Sequence, residues 1–104
     1  KIIMFIYENN YCWHMKRVHI VVHGMVQGVF FRANTKEAAD RLGLKGYAKN
    51  LPNVAVAVVA EGPKEKLDEL VAFCKKGPER ARVDKVDVHT GEASDEFEGF
   101  EIKH

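Results

Sequence analysis

Residues 24–32 read GMVQGVFFR and lie between a valine-rich stretch and a helical one. A connector with no other task would start its helix with Ser, Thr, Asp or Asn, whose side chains satisfy the first N–H groups. Here Val29, Phe30 and Phe31 occupy the start, and Arg32 follows, a cation at the electropositive end of a helix. Gly24 and Gly28 permit backbone turns closed to other residues. Successive N–H groups from Gln27 to Phe31 can then curl into a nest for an oxyanion, with the helix N-terminus behind them. Arg32 adds a charge-assisted fork suited to phosphate oxygens. About five residues wrap one phosphoryl group and not a dinucleotide. The chemistry suggested is the binding of a small anion.

The rest of the chain limits how that chemistry is used. Its 104 residues suit one domain, with 46% hydrophobic and 30% charged residues, the profile of a soluble globular protein. The net charge of +1 is too balanced for a protein built around nucleic acid or an anionic membrane surface, so neither is expected as a partner. Cys12 and Cys74 form no CxxC pair, which argues against structural zinc. Cys74 falls on an apolar helical stripe, as a core residue would, and reduced thiols imply a cytoplasmic setting. Residues 1–14 (KIIMFIYENNYCWH) read as an N-terminal extension to a domain spanning 15–104. Their apolar run, Ile2–Tyr7, is far shorter than the ~20 residues a membrane span needs. It lacks the small-residue cleavage pattern of a secretory signal. An added edge strand is expected there, or a contact through which an otherwise monomeric protein would dimerise.

Positioning the loop requires regular elements on both sides of it. KRVHIVVHG (16–24) is β-branched and alternating, and predicts a strand. Phe31, Thr35, Ala38, Ala39 and Leu42 share one helical face, and Gly43 stops that helix. A second strand is expected over 44–51 and a third over 54–62, apolar on both faces and therefore central. Pro63 is expected to open a second helix, with Leu67, Leu70, Val71 and Cys74 buried. Strands over 81–89 and 99–104 complete the order βαββαβ plus a short β, with residues 91–97 an acidic loop. This predicts an α+β, ferredoxin-like sandwich: an antiparallel sheet, two helices on one face and a short fifth strand.

That topology brings distant residues together. Strands one and two run parallel, so their C-terminal ends lie at one edge. With strand three between them, the loop and Asn50 stand about 10 Å apart, within reach of an arginine side chain. Arg32 and Asn50 thus become candidates for one pocket. Other groups are less organised. His19 and His23 share a strand face without an evident acid or thiol to complete a metal site, and none is expected. No GxxxxGK[ST] motif is present. The stretches VHIVVHG and VAVAVVAEG lack the aromatic residues that RNA-binding sheets display.

The residues also resemble a known family. GMVQGVFFR matches the acylphosphatase signature, and GYAKNLPN (46–53) resembles that family's second conserved stretch, which ends in a catalytic asparagine. VVAEG (58–62) and KKGPERARVDKVDV (75–88) are similar to family sequence too, so the resemblance covers roughly residues 16–103. It implies hydrolysis of a small-molecule acyl phosphate, a carboxyl–phosphate mixed anhydride, without metal or other cofactor. By position, Arg32 would hold the phosphoryl group with the backbone N–H groups of Gln27, Gly28, Val29, Phe30 and Phe31. Asn50 would orient the attacking water. Two positions depart from the pattern. Val54 stands where the family commonly has glycine, so the strand two–three hairpin is expected to be reshaped. Phe30 replaces a smaller residue and is expected to narrow the cradle. A non-catalytic anion- or protein-binding module on the same fold is the alternative that the sequence leaves open.

Overall fold

The computed structural model describes residues 15–104. The expectation for residues 1–14 lies outside the described residues. The elements are β1 (Met15–Met25), α1 (Phe31–Leu42), β2 (Lys45–Asn50), β3 (Val56–Pro63), α2 (Lys64–Lys76), β4 (Arg82–Glu92) and β5 (Phe100–Lys103). In β1 the alternation works as written. Val18, Ile20 and Val22 are buried, while the residues between them face the other side of the sheet. The strand order is β4-β1-β3-β2-β5. β3 is central and buried from Val56 through Gly62, which accounts for its apolar residues on both faces.

One core lies between the sheet and the two helices. It joins Val18, Ile20 and Val22 of β1, Val56, Val58 and Ala60 of β3, Phe31, Ala38 and Ala39 of α1, and Leu67, Leu70 and Cys74 of α2. The rings of Phe31 and Phe73 meet across the helices at 6.4 Å. Burial pushes the Cys74 thiol up to about 12, so it behaves as a small apolar residue.

Two expectations need correction. Pro63 does not open α2. Its ψ of 143° is extended, and it is the N-cap before Lys64. The sheet is mixed rather than antiparallel, because β5 runs parallel to β2 (Gly46 opposite Phe100, Ala48 opposite Ile102). The reason is the path taken by the chain. β4 ends at Glu92, opposite Lys16 at the start of β1, so residues 93–99 cross the sheet end to reach the far edge. Four strand spacings are about 19 Å, and seven residues reach about 23 Å. The crossing uses most of that length, and β5 sets out beside the start of β2.

That crossing is fastened by Glu61, a nearly fully buried carboxylate at the end of β3. It accepts hydrogen bonds from the Ser94 N–H (2.8 Å), the Ser94 hydroxyl (2.8 Å) and the Asp95 N–H (2.9 Å), with Arg17 at 3.5 Å. Burial alone would raise its pKa. The Ser94 and Asp95 donors and the Arg17 charge outweigh it, and the net shift is below the ordinary 4.5. The stabilisation is therefore complete above pH 4.5 and is lost as pH falls through the lowered folded value. Thermal melts of Glu61→Gln should show a loss of about 2 kcal/mol at neutral pH, with the gap to the parent closing in acid.

Val54 lies in the turn between β2 and β3. It adopts φ 65°, the left-handed conformation that glycine prefers, and β2 still pairs with β3 through Asn50 opposite Val56. A β-branched residue pays for this with strain of about 1–2 kcal/mol. Val54 is 63% exposed, so little packing is at stake. Val54→Asn should stabilise the fold by about 1 kcal/mol and raise the Tm by about 4 °C.

Candidate active site

The approach to the site begins with a bulge. The register of β1 against β4 shifts between His23 and Gly24. Gly24 has φ 136°, and a Cβ there would lie 2.1 Å from the Arg82 carbonyl oxygen, so no larger residue fits. Beyond it Val26 enters the core and the chain turns through residues 27–30. Gly28 has φ 76°, and nothing lies within 4 Å of where its Cβ would stand. Phe30 is the N-cap of α1, with φ 63° and ψ 22° and no side-chain hydrogen bond to the helix. The uncapped start expected from the sequence is present. It is held by an aromatic residue in a strained conformation, with 69% of its surface exposed.

Arg32 lies in the first turn of α1. Its Nη1 donates to the Lys103 carbonyl at 2.9 Å and lies 3.5 Å from His104 Nδ1, so the end of β5 steadies the guanidinium. Asn50 is the last residue of β2. Its Oδ1 is buried and has no hydrogen-bond partner, a state it shares only with Thr35 Oγ1 among the described residues. Such an orphaned acceptor costs stability unless something polar meets it.

Arg32 and Asn50 open onto the same cleft, of about 350 Å³, together with Gly28, Phe30, Phe31 and Ile102. Gln27 and Val29 belong to the same turn but are not part of its wall. No Asp or Glu side chain among the described residues lines the cleft, and the first turn of α1 contains no acid. A guanidinium, a helix N-terminus and a neutral carboxamide therefore face a common space with no acidic side chain to oppose an anion.

The other sequence candidates lie elsewhere. His23 Nε2 is 3.1 Å from Asp87 Oδ2, and His19 stands opposite His89 across β1 and β4. Part of the acidic stretch is docked rather than free, through Glu61 and through Arg17 to Glu96 at 3.4 Å. Sequence reasoning gave Gln27 only a main-chain role and missed its side chain. The Nε2 of Gln27 donates to the carbonyls of Leu51 and Ala55, each at 2.8 Å. The available signal was a long polar side chain set between a buried Val26 and a glycine.

The chain is similar to proteins of one family along most of its length. Residues 18–102 match the acylphosphatase family. An acylphosphatase of Rubrobacter xylanophilus is 49% identical over 88 residues, covering 85% of this chain and 80% of its relative. One of Methylococcus capsulatus is 47% identical, covering 85% and 96%. The crystal structure of acylphosphatase from Bacillus subtilis superposes with a TM-score of 0.82 at 31% identity, covering 86% of this chain and 99% of that one.

Proposed function

The chain belongs to the acylphosphatase family and hydrolyses acyl phosphates; from that premise we propose how its residues carry out the reaction. The phosphoryl group sits against the turn formed by Gln27, Gly28, Val29, Phe30 and Phe31, held by their N–H groups and by the Arg32 fork. Asn50 holds a water through its side-chain amide and aims it at phosphorus. The water oxygen bonds to phosphorus as the bond to the acyl oxygen breaks. The acyl group leaves as a carboxylate with that electron pair, and phosphate and a proton are released.

The economy of this site follows from the substrate. A carboxylate is a good leaving group, so no strong general acid is needed. The transition state is loose, and its charge is spread over the phosphoryl oxygens. Positioning and electrostatic stabilisation can then supply most of the acceleration. The observation that carries the assignment is the opening of Arg32 and Asn50 onto one cleft beside the uncapped start of α1. The same reading makes the catalyst metal-independent, with positive charge supplied by Arg32 and the helix terminus. We also propose a cytoplasmic setting, which the free Cys74 in the core supports. No helix among the described residues is long and apolar enough to cross a membrane.

The test is an assay in chelator with benzoyl phosphate and phenyl phosphate side by side. Benzoyl phosphate should turn over at the same rate with and without chelator. The monoester, whose leaving group is much poorer, should remain at the buffer rate. Sustained monoester hydrolysis in chelator would refute the mechanism.

A further inference from the structure

The two halves of the site are carried by different elements, the anion turn by the β1–α1 connection and Asn50 by the end of β2. No covalent segment shorter than α1 joins them. Something must hold their separation, because a near-attack geometry tolerates errors well below 1 Å. We propose that the Gln27 side chain is the positioning residue that sets the distance between the phosphate cradle and the asparagine amide. This inference rests on the site reading above.

The geometry of the β2–β3 turn supports it. The turn is closed by two backbone bonds, from the Leu51 N–H to the Ala55 carbonyl at 2.8 Å and from the Val54 N–H to the Leu51 carbonyl at 3.2 Å. Gln27 Nε2 donates to those same two carbonyl oxygens, each at 2.8 Å. One neutral carboxamide thus grips both carbonyls that define the turn. Only a primary amide offers two N–H donors from one uncharged planar nitrogen. A glutamate there would set a carboxylate against two carbonyl dipoles. Asparagine is one methylene shorter than the glutamine that makes this reach.

The grip is also placed where displacement matters. Gln27 precedes Gly28 of the cleft wall, and Leu51 follows Asn50 directly. A shift of the turn relative to Gln27 moves Asn50 relative to the bound phosphoryl group. The turn contains strain that makes a fixed anchor valuable, since Val54 within it is held at φ 65°. A second local bond, from the Ala55 N–H to Asn53 Oδ1 at 3.3 Å, shapes the turn but does not reach the loop.

The experiment compares Gln27→Met, which keeps size and backbone N–H but has no donors, with Asn50→Ala and the double variant. For each, kcat and KM for benzoyl phosphate and the competitive inhibition constant of inorganic phosphate are measured. Gln27→Met should lower kcat by about 30-fold while the phosphate inhibition constant changes less than about 3-fold. In the Asn50→Ala background the same substitution should cost less than about 3-fold further, because the group it positions is gone. Full kcat in Gln27→Met would overturn the proposal. So would a loss that multiplies independently with Asn50→Ala, or a phosphate inhibition constant that rises as steeply as kcat falls. Full activity in Asn50→Ala would instead overturn the underlying site reading. A Gln27→Met protein that melts below the assay temperature is replaced by Gln27→Lys, whose ammonium restores donors and should keep kcat within about 10-fold of the parent. A folded Gln27→Lys protein with kcat down by about 30-fold or more counts against the tether.

Discussion

Arg32→Ala should reduce kcat/KM for benzoyl phosphate by about a thousandfold or more, the cost expected when the guanidinium proposed to hold the phosphoryl group is removed. Among the described residues lining the cleft, no Lys or second Arg is available to replace it. The phosphate inhibition constant should rise with the loss, because the guanidinium contacts ground state and transition state alike. Arg32→Lys should recover little and remain at least about a hundredfold down, since an ammonium lacks the planar fork. Stability should change little. The bond from Arg32 to the Lys103 carbonyl is exposed, and such a bond contributes about 1 kcal/mol at most. A folded Arg32→Ala protein with activity near that of the parent would remove Arg32 from the site.

The second large effect is expected at Asn50, and its signature is different. Asn50→Ala should lower kcat by about a hundredfold to a thousandfold, with the phosphate inhibition constant within about threefold of the parent. The asparagine is proposed to hold the water and not the phosphoryl group, so binding survives its removal. Alanine also removes a buried Oδ1 that lacks a partner. The Tm should therefore stay level or rise, the trade expected where a site is organised for turnover at some cost to the fold. Calorimetry on the same preparations checks this. A kcat close to that of the parent would leave the water without its proposed holder.

What could be read from the sequence was whatever depends on local pattern. The helix over residues 31–42 follows from five positions on one face, four of them apolar, and a stop glycine, and its observed bounds are the same. The uncapped helix start was legible because a missing Ser, Thr, Asp or Asn is a local fact. The proximity of Arg32 and Asn50 followed from topology alone, since two strands on either side of a common antiparallel partner must end together. Features that depend on distant partners were not legible. A glutamate between Ala60 and Gly62 does not announce that Ser94 and Asp95 will donate to it. Gln27 does not reveal two carbonyls more than twenty residues downstream. The direction of β5 depended on where β4 ended, three residues later than its periodicity suggested. Pro63 at a helix start was read one position too far in, because proline suits the N-cap and the first turn almost equally in φ.

The contact between Arg32 and the Lys103 carbonyl has a consequence for biosynthesis. The anion turn leaves the ribosome early, but the strand that steadies Arg32 is made after every other described element. β5 pairs with β2 at the edge of the sheet, a contact of long sequence separation, so the cleft is expected to close late in folding. A nascent chain paused before residue 100 would display the anion turn without its finished geometry. The appearance of turnover would then time the arrival of the native state more sharply than helix content does, and enzyme assays during refolding would lag behind circular dichroism.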